Sequence, residues 1–300
     1  MNRTRLVRRL LTGVGALLLA SSGLPLAAGA AGAAGADTST PFYLVIGASD
    51  SLGIQLAPGG QHTMRTTRGY ANDVVSLMAA RGINLAMTQI GCGGETTYTM
   101  INGGDRCYSG STTQLSTAIS FLASHRNDTG LVTIDLGFNN LLPCFASGTA
   151  DPVCIARLLP QLRLDMSTIL TALEAAAGPH ITFVGIDHFN PYLASAVSGR
   201  SGRVRATSSV SKISTLNRTL ADVYSTYHVA IAHAAAAFHL ADSDPVYLAH
   251  HTRVPGDALH VCALTYMCGA GHAPNFHPDD RGYRIIAGSI MAALGPNWPN

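Results

Sequence analysis

The chain has 300 residues, 47% hydrophobic and 12% charged, which supplies ample apolar material for one sizeable core. Its formal charge is +2, but four of the 19 Lys and Arg residues and none of the 17 Asp and Glu lie in the first 36 positions, so the remainder carries about −2. With no basic stripe and Lys212 as the only lysine, the composition argues against nucleic-acid binding and against polybasic attachment to a membrane.

The first 36 residues read as a secretory signal peptide. Arg3, Arg5, Arg8 and Arg9 precede a short apolar run at 10–20, and Ala-Gly-Ala recurs at 28–30 and 34–36, which sets cleavage near Ala36. The apolar run is too short and too broken by Gly13 and Gly15 for a retained anchor, and no later run is long enough to span a bilayer. Residues 37–300 then form one domain with no linker or repeat. Six cysteines in an exported chain read as disulfides. Local spacing favours three short loops, Cys92–Cys107, Cys144–Cys154 and Cys262–Cys268, with no thiol left as a nucleophile.

The first element is an apolar strand at 42–46. It runs into Gly47-Ala48-Ser49-Asp50-Ser51-Leu52-Gly53, which turns the chain sharply and presents a serine at the strand's C-terminal end. In an open parallel sheet that edge is where ligands gather. Helical spacing follows over 68–81, with Val74, Leu77 and Met78 on one face, and Gly82 ends it. A second strand at 84–90 leads into the Gly-rich loop Gly91-Cys92-Gly93-Gly94-Glu95-Thr96-Thr97. A helix at 115–125 and a third strand at 131–136 lead to Gly137-Phe138-Asn139-Asn140. The spacing predicts a long helix at 152–177 that Pro160 bends or splits, a strand at 181–186, a helix at 208–227 and a short strand at 229–233. Residues 253–274 look loop-rich, and a helix at 278–294 closes the chain. Strands alternating with helices predict a three-layer α/β/α fold on a five-stranded parallel sheet.

Ser49, Gly94 and Asn139 thus stand at three successive strand ends. A serine hydrolase needs a nucleophile, donors aimed at the developing oxyanion, and a base. The backbone N–H groups of Ser49 and Gly94 and the Asn139 amide can be those donors. These blocks, with His277-Pro278-Asp279-Asp280-Arg281-Gly282-Tyr283, resemble in order and spacing the SGNH (GDSL-type) hydrolase family. The resemblance covers almost all of 37–300 and implies a flavodoxin-like α/β/α fold, Ser49 as nucleophile, Gly94 and Asn139 in the oxyanion hole, and His277 as base. The cysteine placement is likewise similar to that of secreted bacterial esterases of the family.

The chain departs from the family at several points. Ala48 stands where an Asp is usual, Asn140 replaces the Asp after the oxyanion Asn, and no acid stands three residues before His277, where Pro274 is found. The literal Asp-x-x-His is Asp257-Ala258-Leu259-His260, which makes His260 the competing base. Ser51, in Asp50-Ser51-Leu52, is the competing nucleophile. With His277 as base, a backbone carbonyl such as that of Pro274 would fix the ring, or Asp257 would reach it through space. The remaining histidines, His250, His251 and His272, read as loop residues and His188 as part of the cleft wall. The expectation is a secreted, monomeric serine esterase or lipase acting on a small-molecule, lipid or carbohydrate ester, with no metal and no cofactor. The alternatives are a carbohydrate O-deacetylase, an acyltransferase, or a non-catalytic binding protein on the same scaffold.

Overall fold

The computed structural model describes residues 40–299 except 105, 147, 239–243 and 248–252; the expected signal peptide at 1–36 and the pair His250-His251 lie outside the described residues. Strands β1 (Phe42–Gly47), β2 (Ala86–Gln89), β3 (Gly130–Asp135), β4 (Ile181–Ile186) and β5 (Ala230–Ala232) form a parallel sheet in the order β2-β1-β3-β4-β5. The helices are α1 (Tyr70–Ala79), α2 (Thr97–Asn102), α3 (Gln114–Ser124), α4 (Phe138–Leu141), α5 (Pro152–Ala176), α6 (Gly199–Thr226), α7 (Ala234–Ala237), α8 (Gly256–Leu264) and α9 (Asp280–Leu294). Two short antiparallel hairpins, Ile54–Leu56 with Thr63–Arg65 and Pro245–Tyr247 with Arg253–Pro255, stand outside the sheet.

The central strands β1 and β3 are buried along their whole length, and β1 is continuously apolar. Along β1, Phe42, Leu44 and Ile46 pack with Met100, Leu122, Met166, Leu170 and Leu216 from α2, α3, α5 and α6. Tyr43 and Val45, pointing the other way, pack with Tyr70, Val74 and Met78 of α1 and Tyr283, Ile286 and Ile290 of α9. This is the expected three-layer α/β/α architecture, and its strand order places the switch point between β1 and β3, where a doubly wound sheet opens a crevice.

Three expectations are corrected. Pro160 neither splits nor ends α5, which runs unbroken over 25 residues; Pro160 and Ala156 are both exposed, so the carbonyl that loses its helical partner is hydrated. Helix α6 starts at Gly199 rather than 208. Its first turns carry Arg, Gly and Ser without an apolar period, yet Gly202 lies so close to the 3-10 turn Pro191–Ser198 that an added Cβ would fall 1.9 Å from the Ser195 carbonyl oxygen. The region 253–274 is not all loop: α8 occupies 256–264 and buries Ala258 and Val261 against Ala196, Val254 and Leu193. The three disulfides join Cys92 to Cys107, Cys144 to Cys154 and Cys262 to Cys268, across 15, 10 and 6 residues. Among the described residues no helix is long and apolar enough to cross a membrane.

Candidate active site

The turn after β1 is built on Gly47. Its φ of +144° and its approach to β3, where a Cβ would come 2.5 Å from the Asp135 carbonyl oxygen, both require glycine. The Ala48 N–H then donates to that carbonyl at 3.1 Å, and the Ser49 carbonyl accepts the N–H groups of Leu52 and Ile54. This fixes the Ser49 backbone while its side chain lines a cleft. Ser51 is fully buried, and its hydroxyl donates to the Ala48 carbonyl at 2.5 Å. The competing nucleophile is thus a bracing group inside the turn.

Gln114, at the start of α3, ties this turn to the Gly-rich loop. Its Oε1 accepts the Gly47 N–H at 2.8 Å, and its Nε2 donates to the Gly47 carbonyl at 3.1 Å and to Glu95 Oε2 at 2.8 Å. Glu95 is fully buried and also takes the Thr99 hydroxyl. Its carbonyl accepts from Asn139 Nδ2 at 2.9 Å, which locks the third strand-end loop to the second. Asn140 adds a second clamp, accepting the Thr97 N–H at 3.2 Å and donating to the Thr97 hydroxyl at 2.8 Å, while that hydroxyl donates to Asp165. Gly94 sits exposed at φ +85°. Among the described residues nothing accepts the N–H of Ser49 or of Gly94, and one hydrogen of the Asn139 amide is uncommitted.

The cleft lies at the β1–β3 switch point and brings Ser49 and Asn139 together. Phe138, Phe189, Phe276 and His188 wall it, and it holds about 30 Å³ open to water-sized groups, room for a small substituent only. Asp50 and Asp135 line it too. Burial pushes both carboxyl groups up, and their charges oppose one another; His188 partly offsets this for Asp135. His188 Nε2 is 2.8 Å from the Leu136 carbonyl, so that nitrogen carries a proton and Nδ1 faces Asp135 at 3.8 Å.

His277 stands beside Phe276 of the cleft wall and is itself buried. Its orientation comes from neither a carboxylate nor the Pro274 carbonyl, which corrects the expected partner. Asn275 Oδ1 lies 3.0 Å from the His277 backbone N–H and 2.7 Å from Nδ1. A backbone N–H only donates, so the Asn275 atom is the oxygen and Nδ1 bears the ring proton. Nε2 keeps its lone pair. Burial lowers the pKa of His277 to about 4. His260 lies on α8, one turn after Asp257; like Gly94 and His277, it is not among the residues lining the cleft with Ser49, whereas Phe276, next to His277, is.

Gln114, Glu95 and Asn275 are the site residues that sequence reasoning missed. Glu95 had a signal, a lone acid in a loop otherwise made of Gly, Cys and Thr. Gln114 had none, because its partner Gly47 is 67 residues away. Among the described residues no three His, Cys, Asp or Glu side chains cluster to hold a metal.

Neither protein-family models nor curated proteins give a match to the sequence. Solved structures do. The extracellular lipase of Streptomyces rimosus matches with a TM-score of 0.52 at 16% identity, covering 84% of this chain and 99% of that one. Phospholipase A1 of Streptomyces albidoflavus gives 0.51 at 17%, over 85% and 98%. A lipase from a goat rumen metagenome gives 0.51 at 15%, over 85% and 97%. At these identities the likeness establishes the architecture, and the chain has the three-layer α/β/α fold of these lipases and this phospholipase.

Proposed function

We propose that the chain is an exported SGNH-type carboxylic ester hydrolase. Ser49 Oγ attacks the acyl carbonyl while His277 Nε2 takes its proton; the same nitrogen returns that proton to the leaving alcohol. The oxyanion is held by the N–H groups of Ser49 and Gly94 and by the Asn139 amide. Water, deprotonated by His277, then attacks the acyl-enzyme, releasing the carboxylic acid and freeing Ser49. Asn275 sets the tautomer, the role an acid plays in a Ser-His-Asp triad. The observation that carries this reading is the 2.7 Å contact from Asn275 Oδ1 to His277 Nδ1, which leaves Nε2 as the basic nitrogen of a residue adjacent in sequence to Phe276 of the Ser49 cleft. Removal of a signal peptide near Ala36 fits with it, since three disulfides suit an oxidising compartment.

The test is hydrolysis of p-nitrophenyl acetate. Ser49→Ala is expected to lower kcat by at least about 10³ and to abolish labelling by a fluorophosphonate probe. His277→Ala is expected to do the same to kcat, and His260→Ala to leave it within about twofold. Full activity in Ser49→Ala would overturn the reading.

A further inference from the structure

Helix α6 opens in a stretch of chain without acids. From His188 to Ala221 the chain carries Arg200, Arg203, Arg205, Lys212 and Arg218 and no Asp or Glu. Arg200, Arg203 and Arg205 occupy the first two turns of α6, where the helix dipole disfavours cations. Helices α5 and α9 instead begin on the caps Asp151 and Asp279. Among the described residues none of the three arginines makes an ion pair. Arg205 Nε donates to the Gly148 carbonyl at 2.7 Å and so ties α6 to that loop; helix stability does not account for Arg200 and Arg203.

Arg200 and Arg205 line a groove together with Ser195, Ser198 and Pro274; Arg203 lines the adjoining hollow with Arg200. The groove measures about 890 Å³ against about 30 Å³ for the Ser49 cleft, the size of a site for a whole ligand. The two have no lining residue in common, but two chain segments contribute to both. The turn Pro191–Ser198 gives Pro191 to the cleft and Ala194 to Ser198 to the groove. Pro274 adjoins Asn275, which holds His277. Tyr192 stacks on Phe138 of the cleft wall at 6.4 Å, and its hydroxyl, raised by burial to about 12, feels the opposing charge of Arg205.

We infer that this groove binds the alcohol part of the ester and that this part carries an anionic oxygen group of the phosphate kind. The alcohol side is assigned because His277, which hands a proton to the leaving oxygen, lies three residues after Pro274 of the groove lining. Guanidinium forks with no acidic partner match oxyanions of this kind. The inference rests on the Ser49–His277 reading and adds the substrate class to it.

The experiment compares kcat/KM on two soluble esters with one acyl group, butyryl glycerol phosphate and butyrylglycerol. The phosphorylated ester is expected to be preferred. Arg200→Gln/Arg203→Gln, both exposed positions, is expected to cut the preference about tenfold through KM, as two solvent-exposed ion pairs allow. Arg200→Lys/Arg203→Lys restores most of it, and raising salt to about 0.5 M erodes it in the unaltered protein but not in the Gln variant. A second arm uses dioleoyl phosphatidate and dioleoylglycerol in neutral detergent micelles: an arginine-dependent preference there marks a lipid headgroup as the source, and its confinement to the soluble pair marks a small-molecule ester. Equal ratios in the unaltered protein and in the Gln variant overturn the inference. The catalytic reading fails separately, through retained butyrylglycerol hydrolysis in Ser49→Ala.

Discussion

Replacing Asn275 by Asp adds a charge 2.7 Å from His277 Nδ1 and keeps the acceptor that positions the ring. A unit pair about 4 Å apart interacts by about 4 kcal/mol at an effective dielectric of about 20. Taking the new carboxylate out of water cancels part of that, so the imidazole pKa rises by about one to two units. In the unaltered protein burial holds His277 at about 4. Only the neutral ring accepts the serine proton, so activity falls as pH drops through that value. The acid limb of kcat/KM on p-nitrophenyl acetate is expected near pH 4 in the parent and at about pH 5–6 in Asn275→Asp. Well above the limb, the variant gains up to about tenfold in kcat, because the imidazolium formed in the transition state now has a counter-charge. An acid limb that stays put or moves down, in a variant with unchanged circular dichroism, refutes the placement of Asn275 behind the base.

Asn139→Ala removes an oxyanion donor and the tie to the Glu95 carbonyl; kcat is expected to drop by about 10² to 10³ with little change in KM, read by steady-state kinetics. Gln114→Ala removes the partner of the buried Gly47 N–H, and one donor each to the Gly47 carbonyl and to buried Glu95. The cost is about 2–4 kcal/mol in urea unfolding, since each unpartnered buried group costs about 1–3 kcal/mol. His277 also links stability to pH. It binds a proton more weakly folded, at about 4, than unfolded, near 6.5, so the unfolded state takes up more protons between those values. Stability is therefore expected to fall by up to about 3 kcal/mol as pH drops from about 6.5 to about 4, and His277→Gln is expected to flatten that part of the profile.

The sheet was legible because its central strands are buried on two faces and so are mainly apolar, Phe42 to Ile46 without a break. The strand-end loops were legible because sharp turns at a sheet edge need Gly, Ser and Asn. What escaped depended on contacts distant in sequence or on a residue used unusually. The start of α6 hides among Arg, Gly and Ser because its packing uses Gly202, which has no side chain to register in a hydrophobic pattern. Asp-x-x-His pointed to Asp257 and His260, yet those two lie along α8. The partner of His277 is not an acid three residues before it but Asn275, two before, whose amide oxygen meets both the backbone and the ring of His277 in one local turn.

Each of the three disulfides joins cysteines that are consecutive in the sequence, with at most 15 residues between partners. A chain that crosses a membrane unfolded meets its oxidant from the N-terminal end onward. On the proposed export route, every cysteine that emerges second has its native partner as the nearest thiol already present, and short loops close with the least loss of chain entropy. Pairing order and emergence order would then coincide, and correct crosslinking would not need the sheet to assemble first.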